Sequence, residues 1–293
     1  MMKMKKMKID VYQEITDKII SKLESGEVPW VKAMNRATFG YPQNFLTKKI
    51  YKSSNFFMTL LEDRETPYWL TYKQAQELGG SIKKGEHGIR IVYYKFIEKE
   101  VNGEKTSYPM IRYSVVFNLE QCEGIENPFQ DKIDAMKTTK FDSIDACEQL
   151  VSSIKDKVAP VVKEEGYKAF YMPTNDTITM ADRMRYVSEP FYYRTLFHEI
   201  AHSTGHIDRL NRPGITKGYE FGSQGYAREE LVAELTSAFL CGKTGILDET
   251  FDKTTSYIDN WLNALKRDKM LVHDAMKESF KAIEYLGILD EAA

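Results

Sequence analysis

Between residues 10 and 25 apolar positions recur at helical spacing. Val11, Ile15, Ile19 and Leu23 form one stripe, with Ile20 beside it. Asp10 stands where an N-cap belongs, and Gly26 followed by Pro29 ends the helix. An irregular, aromatic-rich stretch follows through Trp30, Phe39, Tyr41, Phe45 and Tyr51. The pattern next predicts helices over 54–62 and 73–78, the second stopped by Gly79 and Gly80. From Gly88 to Phe117 the chain reads as a hairpin. IRIVYYKFIEKE and TSYPMIRYSVVFN are rich in β-branched and aromatic residues, and Asn102-Gly103 is the turn between them. Pro109 marks a bulge or an edge position.

Residues 126–140 are polar with little period and read as a linker. A helix is predicted at 143–157, then two short strands, YKAFYM and DTITMA, joined by Pro173-Thr174-Asn175. Ser188 and Pro190 open a helix expected to run over 189–206. A glycine-rich loop at 207–225 leads to three more helices, at 226–241, 254–266 and 270–286. The expectation is an α+β protein of two domains. Residues 1–125 form an α+β module, 126–140 the linker, and 141–293 a mostly helical domain with a small sheet.

Composition narrows the class. With 293 residues, 42% hydrophobic and 12% aromatic, the chain can fill real cores, which excludes wholesale disorder. No apolar run approaches the roughly 18 residues of a membrane helix, and the basic start leads into an amphipathic helix, so a cytoplasmic protein without a membrane partner is expected. Three scattered cysteines, Cys122, Cys147 and Cys241, point to reduced thiols rather than a disulfide framework. The net charge of −2 conceals an asymmetry: residues 1–125 hold 20 Lys+Arg against 15 Asp+Glu, and the rest 21 against 28. A basic front and an acidic back suggest modules with different partners.

The sharpest chemical signal is His198-Glu199-Ile200-Ala201-His202, an HExxH. On a helix the two histidines leave one face a turn apart and can grip one cation. Glu199, beside them, is placed to take a proton from water activated at that cation and deliver it to a leaving amine. The plain alternative is two histidines on a solvated helix face. A catalytic site of this kind needs a third protein ligand. Gly205 suits the longer HExxHxxGxxH pattern, but Asp208 occupies its last position. Glu230 and Glu234 share a face of the next helix, which is otherwise largely apolar. Glu230 is the expected third ligand and Glu234 the carboxylate that orients a histidine. The reverse assignment, and His206 as ligand, are the alternatives. The donor set suits zinc, with Mn2+ or Co2+ also compatible. The DTITMA strand is expected to be the edge that pairs with substrate backbone.

These residues carry a family likeness. DTITM, YYRTLFHEIAHSTGHIDRLNR, FGSQGYAREELVAELTSAFLCGKTGI and YIDNWLNALKRDK resemble the zincin-like metallopeptidase domain of ArdC-type antirestriction proteins. DVYQEITDKIISKLESGEVPW, PQNFLTKKIYKSSN, PYWLTYKQAQELGGSIKKGEHG and VFNLEQCEGI resemble their N-terminal domain, with Lys48 and Ser53 standing where glycines are expected. The likeness implies a cytoplasmic protein of a mobile, conjugative element. Its front module would bind single-stranded DNA, as in TraC-type primases. Its back module would be a zinc-dependent metallopeptidase of the group that includes SprT-like proteases, and the whole would protect incoming DNA from restriction. The protein substrate would be a restriction enzyme or another DNA-bound protein. Two rival functions are a non-catalytic DNA-binding protein with a structural metal site, and a protease for DNA-bound proteins. Single strands are held by basic grooves with aromatic platforms. The candidate DNA residues are Trp30, Lys48, Lys49, Tyr51, Lys52, Lys83, Lys84, Arg90 and Arg112, with Tyr93, Tyr94, Lys95 and Tyr113 on the hairpin.

Overall fold

The computed structural model describes residues 10–30, 40–62, 64, 66–101, 104–128, 143–164, 166–218, 223–247 and 258–289. The Asn102-Gly103 turn and most of the expected linker lie outside them. The chain divides into two compact units, Phe39–Lys140 and Met1–Thr38 with Phe141–Ala293.

This division departs from the expected 1–125, 126–140 and 141–293. Helix α1 (Val11–Glu24) is capped by Asp10, whose side chain accepts from the Gln13 amide at 3.3 Å. Its stripe of Ile15, Ile19 and Leu23 is buried within the C-terminal unit. Thr16 donates to the Lys269 carbonyl at 2.8 Å, and Trp30 meets Trp261 edge-on at 5.0 Å between ring centroids. A periodic stripe states which face is buried, not which core covers it.

The 39–140 unit holds a sheet of order β1-β2-β5-β4: Gln43–Asn44, Tyr68–Thr71, Glu104–Asn118 and Ile89–Val101. Helices α2 (Ser54–Leu60) and α3 (Tyr72–Glu77) flank it, and α3 begins with a capping box of Thr71 and Gln74. A separate pair joins β3 (Ser81–Ile82) to β6 (Cys122–Glu123). Trp69, Ile91 and Val116 form one core cluster, and Leu70, Ala75, Leu119 and Cys122 another. Strand β2 pairs with β5 only at residues 116–118 of the latter, whereas β4 and β5 stay paired from Ile89↔Val116 out to Val101↔Glu104. The register passes Phe96↔Pro109 without a shift. Pro109 is therefore tolerated because, among the described residues, β5 has no strand partner at that point on the side away from β4, the edge alternative rather than the bulge. Asn55 clamps the outer edge of β4, its amide donating to the Val92 carbonyl at 2.6 Å and accepting from the Val92 amide at 2.9 Å. Lys48 and Ser53 adopt φ of 54° and 57°. Both positions thus hold backbone conformations that glycine takes most cheaply.

In the other unit the sheet has three strands, in the order β7 (Val161–Glu164), β9 (Thr177–Met180), β8 (Phe170–Met172). The DTITMA strand is central, parallel to β7 and antiparallel to β8, so it cannot be the edge that receives a substrate. Val161–Glu164 is too short and too polar to read as a strand from sequence. Helices α4 (Ser143–Ile154), α5 (Glu189–Ser203), α6 (Pro213–Thr216), α7 (Gln224–Lys243), α8 (Ile258–Arg267) and α9 (Leu271–Leu286) complete the unit. Helix α5 stops three residues short of the expected 206, and His206 falls in the loop beyond it. Helix α7 packs between α5 and α9 and is buried from Leu231 to Gly242. Phe197 and Phe239 are completely buried and contribute about 2–3 kcal/mol each. Among the described residues no helix is long and apolar enough to cross a membrane.

Candidate metal centre

The antiparallel placement of α5 and α7 brings together residues 27 to 36 positions apart. His198 and His202, one turn apart on α5, turn their Nε2 atoms toward each other at 3.1 Å. From α7, Glu230 reaches both: Oε2 lies 3.5 Å from His198 Nε2 and Oε1 lies 3.7 Å from His202 Nε2. Ligand atoms of these three residues all lie within 4.8 Å of one another. Tetrahedral coordination at about 2.1 Å requires ligand separations of about 3.4 Å, so two imidazole nitrogens and one carboxylate oxygen are already spaced for one divalent cation.

The rear nitrogens are equally well placed. His198 Nδ1 lies 3.5 Å from Glu234 Oε1, and Glu234 Oε2 lies 3.5 Å from Arg194. His202 Nδ1 lies 3.3 Å from Glu229 Oε1, and Glu229 is gripped by buried Arg212 at 2.7 Å. Burial would depress the His198 imidazole. The hydrogen bond to Glu230 and the charges of Glu234, Glu199 and Glu230 outweigh it and push the group up to about 9. Burial likewise opposes ionisation of Glu230, but the two histidines hold its carboxyl down at about 2. Glu229 is held below the usual carboxylate range against its own burial by His202 and Arg212.

Glu199 is buried on α5, and its Oε2 accepts from the Tyr171 backbone amide of β8 at 2.8 Å. Tyr171 is itself anchored: its hydroxyl donates to Asp176 at 2.9 Å, and Arg209 binds the same carboxylate through both terminal nitrogens while its Nε donates to the Ser203 carbonyl at 2.6 Å. The edge strand is thereby tied to the end of α5. His206 stays outside the convergent set. Its Nδ1 accepts from the Asp208 amide at 3.3 Å. Sequence reasoning missed Glu229, Arg212, Arg194 and Tyr171. The Glu229-Glu230 doublet was the one available signal, because adjacent helical residues point about 100° apart and so address two different groups.

The proposed DNA residues divide. Trp30 is 1% exposed and belongs to the C-terminal unit, so it cannot be a stacking platform. Tyr51 packs on the Trp69 cluster, and burial raises its hydroxyl to about 12. Lys48 sits over the rings of Phe45 and Tyr68 at 4.2 and 4.3 Å. Lys49, Lys52, Lys83, Lys84 and Arg112 are exposed, and Lys83 also donates to the Glu120 carbonyl at 2.8 Å. Tyr93 pairs with Arg112 and Arg90 with Val115, so the two arginines lie on opposite faces of the β4–β5 ribbon. The side chains of Tyr94 and Lys95 lie outside the described set.

Comparison with known proteins also gives two parts, but the N-terminal match takes in α1, which the structure places in the C-terminal unit. Residues 9–117 match the N-terminal domain of anti-restriction factor ArdC, and residues 146–278 match a zincin-like metallopeptidase family. The antirestriction protein ArdC from the R388 plasmid is 31% identical. Its metal-free crystal structure aligns over 95% of this chain and 97% of that one with a TM-score of 0.73. Its Mn(II)-bound structure aligns over 97% and 99% with a TM-score of 0.75. A DNA primase TraC of Escherichia coli is 30% identical over 94% of this chain, which spans only 20% of the primase.

Proposed function

Because the chain belongs to the ArdC antirestriction family, with an ArdC N-terminal domain and a zincin-like metallopeptidase domain, we propose that it is a metal-dependent peptidase that binds single-stranded DNA and protects an incoming element from restriction. The observation that carries the enzymatic half is the meeting of His198 Nε2, His202 Nε2 and a Glu230 oxygen at coordination spacing, with Glu199 adjoining them. A cation held there supplies Lewis-acid chemistry, polarising a peptide carbonyl and making water a stronger acid. Zinc is the resident ion we assign, since an N,N,O set binds it more tightly than manganese. Glu199 removes the proton from water and passes it to the departing amine. Glu234 and Glu229 keep the two imidazoles turned. An extended substrate lies along β8, the edge strand beside α5.

The DNA half is assigned to the 39–140 unit. Lys49, Lys52, Lys83, Lys84 and Arg112 supply phosphate contacts, and Tyr93, 47% exposed beside Arg112, supplies stacking. The protein acts in the cytoplasm of the recipient cell, where the incoming strand and the restriction enzymes meet. The test is a DNA-transfer assay into a restricting host with the parent chain, Glu199→Gln and His198→Ala. Both variants are expected to lose protection, with Glu199→Gln still binding one equivalent of metal. Full protection by Glu199→Gln overturns the peptidase and leaves a DNA-coating protein.

A further inference from the structure

We propose that Arg212 and Glu229 are positioning residues for the cation: together they fix the tautomer of His202 so that its Nε2 lone pair faces the other ligands. This rests on the metal-site reading above.

The guanidinium of Arg212 is 2% exposed and every part of it is engaged. Nε donates to Glu229 Oε2 at 3.1 Å and Nη2 to Oε1 at 2.7 Å. Nη1 donates to the Thr204 hydroxyl at 2.6 Å, and Nη2 also donates to the Ala201 carbonyl at 2.7 Å. Arg212 therefore closes the C-terminal end of α5, where backbone acceptors lack helical partners, while it grips the carboxylate behind His202. Thr204–Arg212 thereby becomes a strap from one ligand back to its own support.

A carboxylate at His202 Nδ1 can only accept, so the ring proton is drawn to Nδ1 and Nε2 is left for coordination. Arg212 prevents that carboxylate from adding net charge. Four carboxylates, Glu199, Glu229, Glu230 and Glu234, surround the centre. The Arg212–Glu229 and Arg194–Glu234 pairs neutralise two of them, leaving Glu199 and Glu230 to balance a dication. The space is fitted as well: a Cβ on Gly214 would lie 2.6 Å from Glu229 Oε2 and 2.7 Å from its Cβ. Only glycine in α6 lets the loop pass behind Glu229.

The experiment uses the full chain, stripped with chelator, and zinc as the probe in calorimetric titrations. Metal-free samples are also examined for imidazole 15N shifts. Glu229→Gln keeps the shape but can donate to Nδ1, moving the proton to Nε2. Its zinc Kd is expected to rise about 10–100-fold, with the Nδ1–H signature of His202 lost. Arg212→Met alone strands a buried charge and is expected to unfold, so Arg212→Met/Glu229→Leu, which removes both charges, serves as the second variant. It is expected to fold and to lose zinc affinity by a similar factor. A Glu229→Gln Kd within twofold of the parent, with the same 15N pattern, overturns the inference while leaving the metal site intact. A parent chain that binds no zinc, or a His198→Ala variant that binds as the parent does, overturns both.

Discussion

Cutting the chain at the 140/141 boundary is expected to ruin the metal-binding unit rather than isolate it. Fragment 141–293 lacks α1 and Trp30. Ile19, Leu23 and Trp30 are each 1% exposed and Ile15 8%, all inside the unit that holds the metal centre. At about 1.5–3 kcal/mol for each buried apolar side chain, the four contribute roughly 6–12 kcal/mol, an upper estimate because unfolded chains already bury part of this surface. Loss of the Thr16–Lys269 bond removes about 1 kcal/mol more. Even the lower end matches the whole net stability of an ordinary domain, about 5–15 kcal/mol. The assay is thermal unfolding by near-ultraviolet circular dichroism, with zinc calorimetry, on 141–293 and on the full chain. The fragment is expected to show no cooperative transition and no stoichiometric zinc binding. A cooperative transition at the full chain's midpoint would refute the assignment of α1 to this core.

Replacing Arg209 by Ala removes the guanidinium that clamps Asp176 and Tyr171; with Asp176 one-third exposed, the net loss is about 2 kcal/mol, so hydrogen exchange of the Tyr171 amide should quicken about 30-fold, and unchanged protection refutes the clamp. In the metal-free protein His198 is raised above its unfolded value, so its stabilisation is complete below about pH 6.5 and is lost as pH climbs through about 9; melting temperatures measured from pH 6 to 9.5 should fall, and a flat or rising profile refutes this coupling. Ser53→Gly should stabilise the 39–140 unit by about 1 kcal/mol, because φ 57° with ψ −139° is nearly exclusive to glycine; a lower melting temperature refutes it. Binding of a labelled single-stranded oligonucleotide should weaken steeply with salt, and Lys83→Ala/Lys84→Ala should lower the salt slope by about 1–1.5; an unchanged slope removes these lysines from the interface.

Periodicity made the convergent group of His198, His202 and Glu230 legible and left its supports hidden. His198 with His202, and Glu230 with Glu234, are four apart on helices, and a 3.6-residue repeat places each pair on one face whatever the rest of the chain does. Which residue of the second pair meets the histidine tips depends on the axial offset of α7 against α5. No repeat encodes that offset; the observed spacing brings Glu230 to both Nε2 atoms and leaves Glu234 behind His198. Arg209, Arg212 and Tyr171 come from a loop and an edge strand, where no period exists, and their roles follow only from where the chain doubles back. The DTITMA strand was misplaced for a related reason: its alternating Ile178 and Met180 mark burial, and a strand buried this deeply belongs in the middle of a sheet, which the short neighbouring strand Val161–Glu164 supplies. The first helix was assigned to the wrong core because sequence proximity stands in for spatial proximity when a stripe has no labelled partner. Lys48 and Ser53 show the converse. Glycines expected there from likeness alone turn out to be positions of positive φ, so a family preference that looked like mere wording is a backbone requirement these two side chains meet at a cost in strain.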